Sequence, residues 1–165
     1  VAFKINKKID FTKPQKLSEV LCILVMIFLF GYLILNWNEI PDEIPSHYNA
    51  LGEADGWGSK ASMLILPMIG GFLYLVITLL SFMPYAWNIP IKVNENNYIK
   101  VYQSTRSIIC YTKLIMLSTF TYIAICSAKG INIGTWFTFI FLALTFGVII
   151  VFTLNIFRYK DKSKL

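Results

Sequence analysis

The residues that could do chemistry lie together. Asp42, Glu43, His47, Tyr48, Asn49, Glu53, Asp55 and Lys60 fall within the run Ile40-Pro-Asp-Glu-Ile-Pro-Ser-His-Tyr-Asn-Ala-Leu-Gly-Glu-Ala-Asp-Gly-Trp-Gly-Ser-Lys60, the one long polar passage of the chain. It holds the single histidine and, with Glu39, five of the nine acidic residues. Glu43, His47 and Asp55 are a weak set of metal ligands. The four-residue spacing of Glu43 and His47 would put both on one helix face, but Pro45 stands between them and argues against a helix. No Ser-His-Asp constellation, His-Glu-x-x-His pair or glycine-rich phosphate loop is present, so no catalytic residue is assigned and no cofactor is expected. A binding surface suits the composition better. Trp37, Tyr48 and Trp57 supply amphipathic rings of the kind found at membrane interfaces, and the carboxylates give that surface a negative face.

The segment has its own shape. Pro41 and Pro45 fix their own φ and push Ile40 and Ile44 toward extended geometry, which predicts a stiff, non-helical ribbon. Asp55-Gly56 and Gly58 offer positive-φ positions for a tight turn after it. The order of prolines, histidine and tryptophan resembles the domain of unknown function that forms the N-terminal part of SdpI-type bacterial membrane proteins. Its pattern is LP-x-x-IP-x-H-[YF]-x-x-x-G-x-x-D-x-W-x-x-K, in a loop between two membrane helices. Here Pro41, Ile44, Pro45, His47, Tyr48, Gly52, Asp55, Trp57 and Lys60 occupy it, with Asn49 inside it and Ile40 in place of the leucine. The resemblance covers about residues 18–84. It implies immunity to, or sensing of, a membrane-active peptide or bacteriocin, with Pro45, His47, Tyr48, Asn49, Gly52, Asp55, Trp57 and Lys60 as the ligand-binding set. The alternatives are an accessory subunit of a membrane transporter or enzyme complex, and a metal-dependent membrane enzyme using the His47 loop.

The rest of the chain must hold this loop at a membrane. With 56% hydrophobic and 16% aromatic residues and a mean hydropathy of +0.62, the sequence is too apolar for an ordinary soluble domain. The expected fold is an all-α integral membrane protein, a four-helix transmembrane bundle with a structured extracellular loop between helices 1 and 2. Its parts are a basic tail over 1–17, a helical hairpin over 18–84 with its outer loop at 38–60, a cytoplasmic loop over 85–103, a second hairpin over 104–157 and a basic tail over 158–165. The first span is as long as a bilayer is thick and lacks a small-residue cleavage site near Ile34-Leu35-Asn36-Trp37, which predicts a helix rather than a signal peptide.

Charge sets the orientation. The net charge of +6 comes mostly from the chain ends and the middle loop, a pattern that fits membrane topology rather than nucleic acid. Only Lys60 and Lys129 fall in the other two loops, which predicts a multi-pass protein of the bacterial cytoplasmic membrane with both termini cytoplasmic. Its expected partners are the lipid bilayer, an extracellular peptide toxin and a cytoplasmic or membrane protein.

The spans carry finer signals. In the third, Tyr102, Arg106 and Lys113 share one face with Cys110 and are candidates for contacting an intracellular partner. Lys113 is expected to snorkel to the cytoplasmic surface, the alternative being an inward cation paired with Glu19 or Glu95. Glu19 is expected at the start of helix 1, against its dipole. Pro67 with Gly70-Gly71 predicts an interruption in helix 2, and Ala143-x-x-x-Gly147 a close contact of helix 4. Cys22, Cys110 and Cys126 lie in apolar segments without Cys-x-x-Cys spacing and read as packing residues.

Overall fold

Helix 1 starts before its apolar run does. In the computed structural model, which describes residues 9–160, α1 spans Lys13–Asn36. Thr12 closes a capping box: its hydroxyl accepts from the Gln15 amide (3.4 Å) while the Gln15 carboxamide oxygen accepts from the Thr12 amide (3.0 Å). Two otherwise orphaned donors are thereby satisfied, and Pro14 in the first turn needs no partner for the N–H it lacks. Glu19 therefore lies in the second turn, beyond the reach of the helix-end dipole. The basic residues Lys4, Lys7, Lys8, Lys162 and Lys164 of the two tails lie outside the described residues.

The loop after α1 is a β-hairpin. A 3₁₀ turn at Trp37–Glu39 leads into β1, Glu43–Tyr48, which pairs antiparallel with β2, Ala54–Ser59. Cα partners run from Glu43↔Ser59 through Pro45↔Trp57 and His47↔Gly56 to Tyr48↔Ala54, with irregularities between Pro45 and Tyr48. The reversal falls at Asn49–Gly52, where Gly52 has φ 78° and the Asn49 side-chain oxygen accepts from the amides of Leu51 (2.9 Å) and Glu53 (3.1 Å). Asp55-Gly56 and Gly58 lie within β2 and none has a positive φ, so the turn is not where Asp-Gly suggested. Asn49 supplies the local side-chain acceptor that stabilises such a turn, and glycine supplies the left-handed backbone.

A second 3₁₀ turn, Lys60–Leu64, feeds α2 at Ile65–Ser81. Pro67 sits in the first turn of α2, where its missing N–H is harmless, so the expected interruption does not occur. Gly70 is there for closeness. A Cβ on it would lie 3.3 Å from Phe120 and 3.4 Å from Leu117. Helix α3 runs from Tyr98 to Ala128, 31 residues, beginning six residues earlier than the apolar run. Asn97, just before it, ties the preceding connection to the end of the last helix, its carboxamide donating to the carbonyls of Lys92 and Tyr159 (3.1 Å each). Helix α4 is Phe137–Arg158.

All four helices are long and apolar enough to cross a membrane. The fold is the all-α membrane bundle the sequence predicts, with the small sheet added. Its spine is α3, on which α1, α2 and α4 each pack, while α1 and α2 touch each other lightly. Gly147 of α4 would meet nothing within 4 Å if given a Cβ, so the Ala143/Gly147 pair makes no close helix contact within the described chain. At the end that carries the hairpin, Leu29, Leu33, Ile40, Ile44, Met63, Ala124 and Ala128 form the apolar core. Towards the chain termini the interior turns polar, with Gln15, Ser18, Ser81, Arg106, Ser107 and Lys113 all buried.

Candidate functional site

The hairpin is bolted to the far side of the bundle. Ile44 and Pro45 are buried beneath it, and the Ser127 hydroxyl of α3 donates to the Pro45 carbonyl. The α3–α4 connection supplies the rest. Tyr48 Oη donates to the Ile131 carbonyl (3.2 Å), the Ala54 amide donates to Asn132 Oδ1 (2.9 Å), and the Ile133 amide donates to the Gly52 carbonyl (2.9 Å). The Tyr122 hydroxyl in turn fixes that connection by donating to the Ile133 carbonyl (3.0 Å). Burial pushes the Tyr48 phenol up to about 12, because its charged form would lose solvation in this contact.

The eight residues of the predicted ligand-binding set therefore divide by role. Pro45, Asn49 and Gly52 shape the hairpin, Tyr48 docks it, and Lys60 places its ammonium 4.9 Å from the centre of the Trp37 ring. His47, Asp55 and Trp57 remain on the open side. His47 Nδ1 lies 2.6 Å from Asp55 Oδ1, with side-chain exposures of 73% and 44%, and Trp57 is 54% exposed. The carboxylate orients the imidazole and leaves Nε2 turned to solvent as the ring's free nitrogen. Glu43 pairs with Ser59 at the other end of the strands. Among the described residues no three His, Cys, Asp or Glu side chains are grouped to hold a metal, so Glu43, His47 and Asp55 do not converge.

A second polar cluster lies inside the bundle. Tyr102, Arg106 and Lys113 do share a face of α3, but that face is interior, with exposures of 6%, 3% and 0%. They are not presented to an intracellular partner. Arg106 donates to the carbonyls of Ser81 (3.2 Å) and Ile9 (2.8 Å) and lies between the rings of Phe11 and Trp87. Two turns on, Lys113 does not snorkel. Its Nζ donates to Glu19 Oε2 (2.6 Å) and Thr78 Oγ1 (2.7 Å) and sits 4.6 Å from the centre of the Tyr74 ring. All three N–H groups thus have an acceptor or a π face. Glu95 takes no part and is exposed.

These two cations of α3 each reach both α1 and α2, or the chain leading into them, so they tie together two helices that barely meet. Gln15 and Ser18 extend the seam by hydrogen bonds to Ser107 (2.9 Å) and to the Cys110 carbonyl (3.1 Å). Sequence reasoning overlooked Gln15, Ser18, Tyr74 and Thr78. The legible trace was the Thr-x-x-Gln capping box at the head of α1.

The hairpin segment has relatives. Residues 24–71 match the family model of a domain of unknown function, DUF1648. That stretch runs from the middle of α1 through the whole hairpin into the first two turns of α2. An uncharacterized protein of Archaeoglobus fulgidus is 34% identical over 63 residues, 36% of this chain and 34% of that protein. The chain spans about a third of the length of that curated relative. No solved structure matches. The protein is thus a multi-pass membrane protein with a DUF1648-like segment built around the docked hairpin.

Proposed function

We propose that the open face of the hairpin recognises a cationic, amphipathic peptide at the outer surface of the membrane, in the manner of an immunity or sensing protein. One observation carries this reading: the hairpin is held on its inner side by at least four hydrogen bonds to α3 and the α3–α4 connection, while its other side leaves Trp57, His47 and Asp55 uncovered. A preformed surface loses little entropy on binding. Covering the exposed half of an indole, roughly 100 Å² at about 25 cal/mol/Å², contributes about 2 kcal/mol. The carboxylates Asp42, Glu43, Glu53 and Asp55 select for positive charge, and the His47 ring, held by Asp55, offers a polar contact of fixed direction. The resemblance to SdpI-type proteins supports the same reading.

The test is protection of living cells. Bacteria sensitive to a cationic membrane-active peptide gain resistance on expressing the protein, and Trp57→Ala or His47→Ala abolishes most of that gain at equal membrane abundance. If the wild-type protein confers no protection and instead co-purifies with a membrane protein at equal stoichiometry, the recognition reading is wrong and the hairpin is an assembly surface of an accessory subunit.

A further inference from the structure

We propose that the outer edge of β2, at Trp57 and Ser59, receives a segment of the cationic peptide in extended form, as a third strand of the hairpin. This deepens the recognition reading and rests on it. The ladder shows which main-chain groups are spare. The Lys60 amide donates to the Asp42 carbonyl (2.8 Å), so those two residues form a hydrogen-bonded pair, and the pairs alternate from there through Glu43↔Ser59, Ile44↔Gly58 and Pro45↔Trp57. Ile44 and Gly58 therefore bond across the strands, whereas Glu43, Pro45, Trp57 and Ser59 turn their main-chain groups outward. Pro45 agrees with that phase: it has no N–H to offer the ladder, and its carbonyl meets the Ser127 hydroxyl of α3. The outward side of β1 is thus the docked side. On the outward side of β2, the Ser59 carbonyl accepts from the Ser62 hydroxyl (2.7 Å), and beyond the irregularity the Ala54 amide donates to Asn132 Oδ1 (2.9 Å). Among the described residues, none bonds to the Trp57 amide, the Trp57 carbonyl or the Ser59 amide.

This edge is unguarded. Proteins commonly blunt an open strand with proline or lysine, but β2 holds neither, and Lys60 beyond it places its ammonium 4.9 Å from the centre of the Trp37 ring. Unpaired main chain is not tolerated in hydrocarbon, so the edge meets water or a visiting chain. Along β2, Asp55, Trp57 and Ser59 are exposed while Gly56 and Gly58 are half-buried. An added strand would lay side chains two positions apart beside the Asp55 carboxylate and the Trp57 indole, about 7 Å from each other. The fitting segment carries a basic and an apolar residue at that spacing, rather than three or four apart as on a helix face. A second copy of the hairpin would instead bring Asp42, Glu43, Glu53 and Asp55 against their like.

The experiment uses the full chain in phosphatidylcholine nanodiscs, with empty nanodiscs as the blank. The probe is a short, fluorescent, threonine-rich peptide with arginine and leucine two positions apart, and it should bind more tightly than the same composition with them four apart. Ser59 has φ −66°, the value proline fixes, and its side chain makes no capping bond, so Ser59→Pro fits the hairpin while removing an edge donor. That variant should weaken binding about tenfold, whereas Ser59→Ala, which keeps the N–H, should not. Methylating alternate amides of the peptide should cost a similar factor on the wild-type protein, without any variant. Saturable binding that either Ser59→Pro or amide methylation leaves unchanged overturns strand pairing but leaves the recognition reading standing. Absence of saturable binding to the wild type ends both. A peptide-free dimer that Ser59→Pro dissociates would give the edge to a second copy and likewise overturn the proposal.

Discussion

Gly52→Ala should undock the hairpin without melting the helices. Gly52 has φ 78°, and an alanine Cβ built there runs into the Gly134 carbonyl group, with its carbon at 2.8 Å and the Gly134 nitrogen at 3.0 Å. The obstacle is backbone, which cannot rotate away. Holding an L-residue in the left-handed region costs about 1–2 kcal/mol. Relieving the clash also requires separating Gly52 from the α3–α4 connection, which sacrifices the hydrogen bond from Ile133, about 0.5–1.5 kcal/mol. Together these weaken docking by about 2–3 kcal/mol, on the order of a hundredfold in the opening equilibrium. Hydrogen exchange in nanodiscs reads this locally. Amides of 43–59 and 131–133 should exchange on the order of a hundred times faster than in the wild type, while α3 amides near Lys113 stay unchanged. Gly147→Ala, where the added methyl meets nothing within 4 Å, serves as the silent control. Unaltered exchange over 43–59 in Gly52→Ala would refute the docking argument, and equal acceleration throughout α1–α3 would show that the hairpin is not a separable unit.

Two further outcomes follow from the interior and from the dock. Lys113→Met leaves the Glu19 carboxylate buried without its cation and should destabilise the bundle by about 3–5 kcal/mol, whereas Lys113→Met with Glu19→Gln should recover most of that loss; unfolding in mixed detergent with a chaotrope measures both, and a double variant no better than the single would contradict the pairing. The Tyr48 phenol is raised by burial from 10 to about 12, so it is neutral in the docked state and its contribution is intact below pH 10 and lost as pH rises toward 12. Hairpin exchange should therefore accelerate over that interval in the wild type, and Tyr48→Phe should flatten the dependence while costing about 1 kcal/mol of docking.

The four spans were legible because each carries a long, mostly apolar run of bilayer length, a signal that needs no tertiary knowledge. The starts of α1 and α3 were not, since the Thr12 capping box and the Asn94–Asn97 turn both lie before the apolar run opens. The hairpin escaped for a different reason. Strand β1 is irregular between Pro45 and Tyr48, which breaks the alternation that marks a strand, and β2 is built partly from Gly56 and Gly58, which carry no side chain to alternate. Asp55-Gly56 has the dipeptide of a turn yet lies in a strand, because Asn49 and Gly52 already make the reversal. The extended character of the first half was nevertheless readable from Pro41 and Pro45. Lys113 shows the opposite limit. Its depth in α3 was visible, but whether it reached water or Glu19 depended on how three helices pack, and only the contacts of α1 and α2 with α3 decide that.

Direct binding tests the recognition reading most plainly. The protein in nanodiscs, titrated with a fluorescent cationic amphipathic peptide against empty nanodiscs of the same lipid, should show saturable binding that shields Trp57 and His47 from chemical modification, and Trp57→Ala should weaken it by about 1–3 kcal/mol, ten- to a hundredfold. Binding no stronger than to lipid alone, or saturable binding that leaves both side chains open to modification, would contradict it.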